Sequence, residues 1–288
     1  MKKRIQFIIN PISGVGKKNI LPALIEKHLD HSIFEYTIVY TEFRGHAKEI
    51  AQQAIEDDYH VVGIVGGDGT VNEVGTTLVN SNVSLAIIPA GSGNGIARHL
   101  GLSLRLQNAI KNINHFKTDR IDVVSVNGAC FIGIAGVGFD ALIAHRFDNY
   151  HARGLFGYIR LVLKEFRSYK GVKITLNKDK TFDNLLFCCI ANSSQFGNGF
   201  KISPQSIIKD GKFEIVLVQL PSVLGFVKLL FQSLMGTVHK SKMVHIIPVQ
   251  KAQIDIESNY MHLDGDPVDI PGTSLEFNCN EKRLSVVL

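Results

Sequence analysis

Val61-Val62-Gly63-Ile64-Val65-Gly66-Gly67-Asp68-Gly69-Thr70-Val71-Asn72-Glu73 is the stretch on which the reading of the fold turns. An apolar run of strand type, Val61–Val65, enters a loop with three glycines in five positions, and Val71–Leu78 then reads as a helix. Glycines in such a loop let backbone N–H groups approach a phosphate closely, and the helix N-terminus that follows favours negative charge. An aspartate among amides of that kind makes sense when a Mg²⁺ stands between it and a bound anion. The same five residues, Gly66–Thr70, would also serve as a tight turn with Thr70 as helix N-cap. The strand–loop–helix context favours phosphate over the plain turn.

Working outward, Arg4–Ile9, Phe34–Tyr40 and Ser84–Ile88 are further short strand-like runs, separated by amphipathic segments up to about residue 115. This alternation predicts an α/β fold whose N-terminal part is a doubly wound, mainly parallel sheet. Each run leads into a polar or glycine-rich loop: Asn10–Gly14, Thr41–Gly45 and Pro89–Gly95. Ligands of open α/β sheets sit at the carboxyl ends of the strands, where these loops converge. Taken singly, Asn10-Pro11-Ile12-Ser13-Gly14 and Pro89-Ala90-Gly91-Ser92-Gly93-Asn94-Gly95 are ordinary turn residues. Three small-residue loops on one sheet make a donor-rich rim suited to polyphosphate.

After Asp119 the texture changes to closely spaced strands. Asn127-Gly128, between Ile121–Val126 and Ala129–Ala135, is the signature of a two-residue type I′ hairpin, and Ser258-Asn259 reads as another turn. A second, antiparallel β-rich domain is therefore expected over residues 119–279, with the first domain at 1–118 and residues 280–288 returning to it as a strand, Arg283–Leu288. One helix, Leu155–Tyr169, interrupts the β domain, with Ile159, Val162, Leu163 and Phe166 on one face and Arg160, Lys164 and Arg167 on another.

The chain has 288 residues, 45% of them hydrophobic and 20% charged, which is ordinary globular chemistry rather than disorder or a coiled coil. Four cysteines, Cys130, Cys188, Cys189 and Cys279, show no metal-type spacing and are read as reduced and buried. The first apolar run is too short for a signal-peptide core. Ile215–Met235 is broken by Gln219, Pro221, Lys228 and Gln232, so it reads as strand, turn and helix rather than a membrane span. The formal charge is +5 at pH 7, and the window from His145 to Lys173, with seven Lys or Arg against Asp148 and Glu165, carries that excess by itself. Aromatic and basic residues are not interleaved on a strand platform, which argues against nucleic acid.

At this point the motifs carry a resemblance to the diacylglycerol kinase catalytic family, which includes sphingosine and ceramide kinases and bacterial lipid kinases. Asn10-Pro-x-Ser-Gly14, Gly66-Gly-Asp-Gly-Thr-x-Asn-Glu73 and Pro89-x-Gly-Ser-Gly-Asn94 resemble its loops in order and spacing. Gly136-Val-Gly-Phe-Asp140, Lys209-Asp-Gly-Lys-Phe213 and Leu263-Asp-Gly-Asp266 extend the likeness over nearly the whole chain. The Gly66–Thr70 motif alone would also suit an NAD kinase or a phosphofructokinase. The resemblance implies a fold like that of NAD kinases and diacylglycerol kinases, with ATP as phosphoryl donor and Mg²⁺ as its partner. ATP would be held by Asn10, Pro11, Ser13, Gly14, Thr41, Gly66, Gly67, Asp68, Gly69, Thr70, Asn72, Glu73, Ser92 and Asn94, with Asp68 on the metal side.

By the same resemblance Asp266 stands where the family has a glutamate acting as general base on a lipid hydroxyl, one methylene shorter here. Asp264-Gly265 is also a common hairpin pair, so a plain turn remains the alternative reading. Ile207, Asp210 and Lys212 correspond to a structural Mg²⁺ site of bacterial relatives, and an Asp-Gly turn opening the strand Phe213–Val218 is the equal alternative. Gly95 after Asn94 departs from many bacterial diacylglycerol kinases, which have aspartate there, and looks more like the sphingosine and ceramide kinase branch. The expected partners are a lipid acceptor, diacylglycerol-like or a long-chain base, and a membrane surface touched peripherally from the cytoplasmic side. A homodimer is left open. Gly136–Asp140 and the Ser222–Met235 stripe (Leu224, Val227, Phe231, Leu234) are candidate walls of an acyl pocket, with core packing as the alternative. A soluble kinase like NAD kinase and a nucleotide-binding regulator without turnover are the competing functions.

Overall fold

The computed structural model describes residues 2–11, 20–148, 155–257, 260–269 and 272–288. Ser13 and Gly14 of the first loop, and the Ser258-Asn259 turn, lie outside the described residues. The chain forms two compact units, Met1–Val123 with Asn280–Leu288, and Val124–Cys279. The expected boundary at 118/119 falls at the start of a strand, Thr118–Val126, that runs through it.

In the first unit the chain order is β1 (Lys3–Ile9), α1 (Leu21–His28), β2 (Phe34–Tyr40), α2 (His46–Glu56), β3 (Val61–Gly66), α3 (Asp68–Thr77), β4 (Ser84–Pro89), α4 (Gly95–His99) and α5 (Leu106–Ile113). β1 pairs in parallel with both β2 and β3, and β3 with β4, so the strand order is 2-1-3-4. Ile5, Phe7, Ile9, Val61, Val65, Ala86 and Ile88 face α1 and α5 through Leu21, Ile25, Leu106, Ile110 and Ile113. Strand residues are buried on both faces, as a sheet covered by helices on each side requires. Gly63 sits opposite Phe7 in the ladder, and a Cβ there would come within 2.6 Å of the Phe7 ring, so the glycine makes room for the aromatic ring.

The second unit is antiparallel. The remaining elements are β5 (Thr118–Val126), β6 (Ala129–Phe131), β7 (Ile134–Gly138), α6 (Phe139–Asp148), α7 (Leu155–Phe166), β8 (Val172–Leu176), β9 (Lys180–Ala191), β10 (Phe213–Gln219), α8 (Val223–Leu234), β11 (Val244–Val249), β12 (Lys251–Ile256), β13 (Tyr260–Leu263), β14 (Asp266–Asp269) and β15 (Ser274–Val287), with β5 up to Val123 and β15 from Asn280 belonging to the first unit. Val126 pairs with Ala129, and Asn127 and Gly128 take φ of 45° and 89°, the two positive values a type I′ hairpin requires. Period-2 alternation then divides β10. Phe213, Ile215 and Leu217 enter a sandwich core with Ile254, Ile256, Leu275 and Phe277, whereas Val216 and Val218 lie under α6, α7 and α8. The three buried helical anchors Phe139, Phe166 and Phe226 meet ring to ring, with Phe166 and Phe226 stacked at 4.3 Å.

Ile215–Met235 is thus strand, turn and helix. α8 starts where Ser222 caps it, its hydroxyl accepting from the Gly225 N–H at 3.2 Å, and ends before Gly236 at φ 67°. The last part of β15 leaves the second unit's ladder. Val286 pairs in parallel with Leu85 of β4, Ser285 and Ser84 hydroxyls bond at 2.8 Å, and Val287 enters the first core. Cys188, Cys189 and Cys279 are buried thiols and Cys130 is half-buried, all unpaired by disulfide.

Replacing Gly63 by alanine is expected to lower the unfolding free energy by about 1–3 kcal/mol, the usual cost of overpacking. Chemical denaturation measures it, and an unchanged midpoint would show that Phe7 can yield.

Candidate functional site

The parallel ladder brings the carboxyl ends of β2, β1, β3 and β4 into one row: Ile9 lies beside Tyr40 and Val65, and Gly66 beside Pro89. The loops leaving these ends are therefore neighbours. The Asn10 N–H bonds to Val65 O at 3.2 Å and the Thr41 N–H to Ile9 O at 3.0 Å. Ala90 and Gly91 both donate to Gly66 O, at 2.9 and 3.1 Å. Gly67 and Gly91 approach so closely that a Cβ on Gly91 would overlap the Gly67 Cα, so Gly91 excludes a side chain and a Cβ on Gly67 would be crowded at 3.2 Å.

α3 begins at Asp68, three residues before the expected start at Val71. Its N-cap is Gly67, which has no side chain to cap with, so the cap is not Thr70. Thr70 lies in the first turn instead, and its hydroxyl accepts from Asn10 Nδ2 at 3.1 Å, tying the first loop to the helix. An N-terminal turn without a side-chain cap leaves amide donors for another acceptor.

Asp68 points from that turn to the third loop, its Oδ1 accepting the Ile96 N–H at 3.2 Å. Burial pushes its carboxyl above the ordinary value, opposed by backbone hydrogen bonds from Gly95, Ile96 and Asn94. Asn94 takes φ 51°, and its amide is spent within the loop, accepting from the Gly91 N–H at 2.9 Å and donating to Gly91 O at 2.8 Å. Arg98, not singled out from the sequence, braces the same loop through Nε to Gly93 O at 3.1 Å. Ser92 is exposed at the loop's tip, Pro11 is half-buried after Asn10, and Thr41 is buried after β2. Asn72 Oδ1 is buried without a hydrogen-bond partner. Glu73, beside it, accepts the Thr77 hydroxyl at its carbonyl. A stranded buried acceptor, a glycine cradle and a desolvated carboxylate are a donor set that fits a magnesium polyphosphate.

In the second unit Asp264 and Gly265, with φ of 51° and 88°, make the two-residue turn of the β13–β14 hairpin, and Leu263 pairs with Asp266. The hairpin reading of Asp-Gly is therefore correct as far as it goes. Asp264 does more than turn the chain. Its carboxylate accepts three successive backbone N–H groups, from Ile132, Gly133 and Ile134, at 2.8–2.9 Å. Asp266 follows as the first residue of β14, half-buried.

Behind the turn, buried His262 accepts from the Gly265 N–H at Nδ1 (3.3 Å), which leaves the ring proton on Nε2 to donate to Asp140 Oδ2 at 3.2 Å. Gly136 pairs with His262 across the ladder, and a Cβ there would overlap both Asp140 Oδ2 and His262 Nε2. Gly138 has φ 112° against the Phe187 backbone. The Gly136-Val-Gly-Phe-Asp140 motif thus builds a niche for an Asp140–His262 pair. His262 carries no signal in the sequence, because its partner is 122 residues away.

Ile207, Asp210 and Lys212 share the loop before β10. Asp210 Oδ1 accepts the Lys212 N–H at 3.0 Å, and Ile207 O accepts from Lys209 at 2.8 Å, the geometry of a turn. Glu214 joins them: its carboxylate accepts the Ser206 hydroxyl, and burial, then Asp210's charge, raise its carboxyl. Among the described residues no three His, Cys, Asp or Glu side chains gather as a metal cluster. Leu224, Val227, Phe231 and Leu234 on α8 are all exposed, so that stripe is not core packing.

Residues 4–126 match the diacylglycerol kinase catalytic domain, and residues 133–288 match the YegS C-terminal NAD kinase beta sandwich-like domain. The chain belongs to the diacylglycerol kinase and YegS-like lipid kinase family, and is a lipid kinase by that membership. It is 25% identical over 275 residues to a diacylglycerol kinase of Bacillus subtilis, covering 92% of this chain and 90% of that one. It is 29% identical over 277 residues to a diacylglycerol kinase of Staphylococcus saprophyticus, covering 90% of each. A diacylglycerol kinase crystal structure from Bacillus anthracis shares the fold at TM-score 0.72 and 18% identity, covering 99% and 96% of the two chains. An NAD kinase from Archaeoglobus fulgidus, solved with ATP, shares it more distantly at TM-score 0.53 and 12% identity over 99% and 93%.

Because Asp68's folded carboxyl lies above its unfolded value of about 3.9, its contribution to the stability of the ligand-free protein is fully present below that value. That contribution is lost as pH rises through the folded value. Asp68→Asn is expected to melt higher than the parent at pH 7 without ligand, with a flatter melting temperature from pH 4 upward. A parent-like pH profile in the variant would show that burial of the charge costs nothing.

Proposed function

We propose that this chain transfers the γ-phosphoryl group of ATP to the hydroxyl of a lipid, a diacylglycerol-like acceptor being favoured. The observation that carries the reading is the row of loops at the strand ends, with its excluded Cβ atoms and the stranded Asn72 acceptor. Asn10, Pro11, Thr41, Gly66, Gly67, Gly69, Thr70, Asn72, Glu73, Ser92 and Asn94, with Ser13 and Gly14, hold the nucleotide in this reading. The backbone amide at Gly67 takes a phosphate oxygen, while that of Gly91 is held within its own loop. Asn10 and Thr70 keep the first loop and α3 in register. Asn94 acts on its own loop, whose shape it fixes from within.

Asp68 supplies the carboxylate for a Mg²⁺, which when bound neutralises charge on the phosphate oxygens. Asp266 takes the proton of the acceptor hydroxyl as that oxygen forms its new bond to phosphorus. The bond to the bridging oxygen breaks, and ADP leaves. Asp264 anchors the hairpin on which Asp266 stands, and a shorter side chain than glutamate makes that anchoring matter more. The Ile207, Asp210 and Lys212 loop would hold a second, structural Mg²⁺, with Asp210 supplying a carboxylate. Its support is the pair of nearby carboxylates, Asp210 and Glu214, whose repulsion a cation would relieve. Gly95, buried at the start of α4, keeps a long-chain-base or ceramide acceptor as the second reading.

The test is γ-labelled ATP with a total lipid extract. Label should enter a lipid phosphomonoester, and Asp266→Asn should keep nucleotide affinity within about twofold while losing about 10²–10⁴-fold in turnover, the usual worth of a general base. Label in a water-soluble product only would move the reading to a soluble kinase, and unchanged turnover in the variant would remove Asp266 as base.

No helix among the described residues is long and apolar enough to cross a membrane. The enzyme meets its acceptor at the surface of the cytoplasmic leaflet, and Arg160, Lys164 and Arg167, all exposed, are the first contacts for anionic headgroups. Changing these three to glutamate should lower activity on anionic vesicles about a hundredfold, three cations at about 1 kcal/mol each. Activity on detergent-dispersed acceptor should stay unchanged, and an equal loss in both assays would contradict the surface role.

A further inference from the structure

α8 presents a surface that the fold does not use. Its buried stripe is narrow, Phe226, Leu229 and Ser233, and everything turned away from that stripe is apolar except one lysine. Leu224 is 83% exposed, Phe231 63% and Val223 61%, and Val227, Leu234 and Met235 complete the same outward face. Scattered exposed apolar residues are ordinary, whereas a whole helix face of them marks a docking surface.

The charge around the face says what docks there. From Ile215 to Ile254 the chain contains no aspartate or glutamate and four lysines. Lys228 is exposed on the outward side of α8, and Lys240 and Lys242 are exposed in and after the short turn Val238–Lys240 that follows it. Lys201 joins from another loop, its backbone exchanging hydrogen bonds with Ser233 of α8 (3.1 and 3.0 Å). α7 lies alongside, held by the Phe166–Phe226 stack. Both helices bury their inner sides on the same face of the β-sheet, which leaves the basic side of α7 and the apolar side of α8 turned away from it. A second copy of the chain would be a poor cover, because a two-fold contact sets the same patch against itself and brings lysine toward lysine with no nearby acid from this segment. An apolar helix face rimmed by lysines suits a bilayer with anionic headgroups: the rings and methyls enter the acyl boundary, and the ammonium groups stay among the phosphates.

We infer that the outward face of α8, centred on Leu224 and Phe231 and rimmed by Lys201, Lys228, Lys240 and Lys242, is a membrane-insertion surface for anionic lipid bilayers. This deepens, and rests on, the reading of the chain as a kinase of membrane lipids. It assigns the apolar component of surface binding to a helix distinct from the basic side of α7.

The test is co-sedimentation of the full chain with extruded vesicles of phosphatidylcholine alone or of equal parts phosphatidylcholine and phosphatidylglycerol. Circular dichroism and sedimentation velocity are run on the same samples. The parent should pellet with the mixed vesicles and remain largely in solution with phosphatidylcholine alone. Leu224→Ser with Phe231→Ser should lose about tenfold or more in affinity for mixed vesicles. Lys240→Glu with Lys242→Glu should lose affinity by a similar factor. Both variants should keep the parent's circular dichroism and its transfer rate to detergent-dispersed acceptor.

Parent-like vesicle binding by the serine variant overturns the proposal. So does a serine variant that turns a parent dimer into a monomer without losing vesicle affinity, because the face then belongs to a second copy. The two readings fail separately. Pelleting that needs α8 in a chain that labels no lipid upholds the surface and sinks the kinase reading, whereas lipid labelling indifferent to α8 sinks the surface alone.

Discussion

The first unit depends on one close approach, that of the Gly67 and Gly91 backbones at the ends of β3 and β4. Two loops that near cannot both carry side chains, so the rim between them consists of amide groups. Asp68 fixes the spacing from below: its carboxylate faces amides of Asn94, Gly95 and Ile96, so the second loop's helix is keyed to the third loop's helix. The bond from Asn10 to Thr70 adds the first loop. Rigidity in this rim comes from short polar contacts rather than from buried apolar area, as a surface that must stay open to a charged ligand requires.

The second unit solves a different problem, holding one carboxylate on a tight turn. Asp264 collects three backbone amides from the chain before β7, and His262 takes the amide of Gly265 from the other side. The turn is thus gripped at both of its corners. Asp140 orients His262, and Gly136 vacates the volume that pair occupies. Side chains far apart in the chain thus hold the turn that precedes Asp266.

Much of this was legible in the chain. Phe34–Tyr40 is a strand to the residue, a run rich in β-branched and aromatic residues that ends at the polar Thr41. The turn at Asn127-Gly128 was readable because few other pairs take two positive φ values cheaply. The start of α3 was misplaced by three residues for the opposite reason: Gly69 and Thr70 are poor helix formers, and tertiary contacts to Asn10 and the third loop hold that first turn. Asn94 was expected to hold the nucleotide, and its spending both amide ends on Gly91 could not be seen without the loop's path. His262 left no trace, since one histidine in a strand is silent until its partner arrives. α8 shows the limit of periodicity most plainly. Spacing told which of its residues share a side, and only the structure told that nothing in this unit covers that side.

β15 also sets an order of events. Its last residues, 280–288, complete the parallel sheet beside β4, yet the ribosome delivers them only after all of residues 124–279. Until then β4 is a bare, strongly apolar edge, and the nascent first unit waits with an open flank that other chains could pair with. The closing strand joins segments some two hundred residues apart, a contact that forms late and slowly. Newborn copies of this enzyme should therefore lean on chaperones until that strand has joined the sheet.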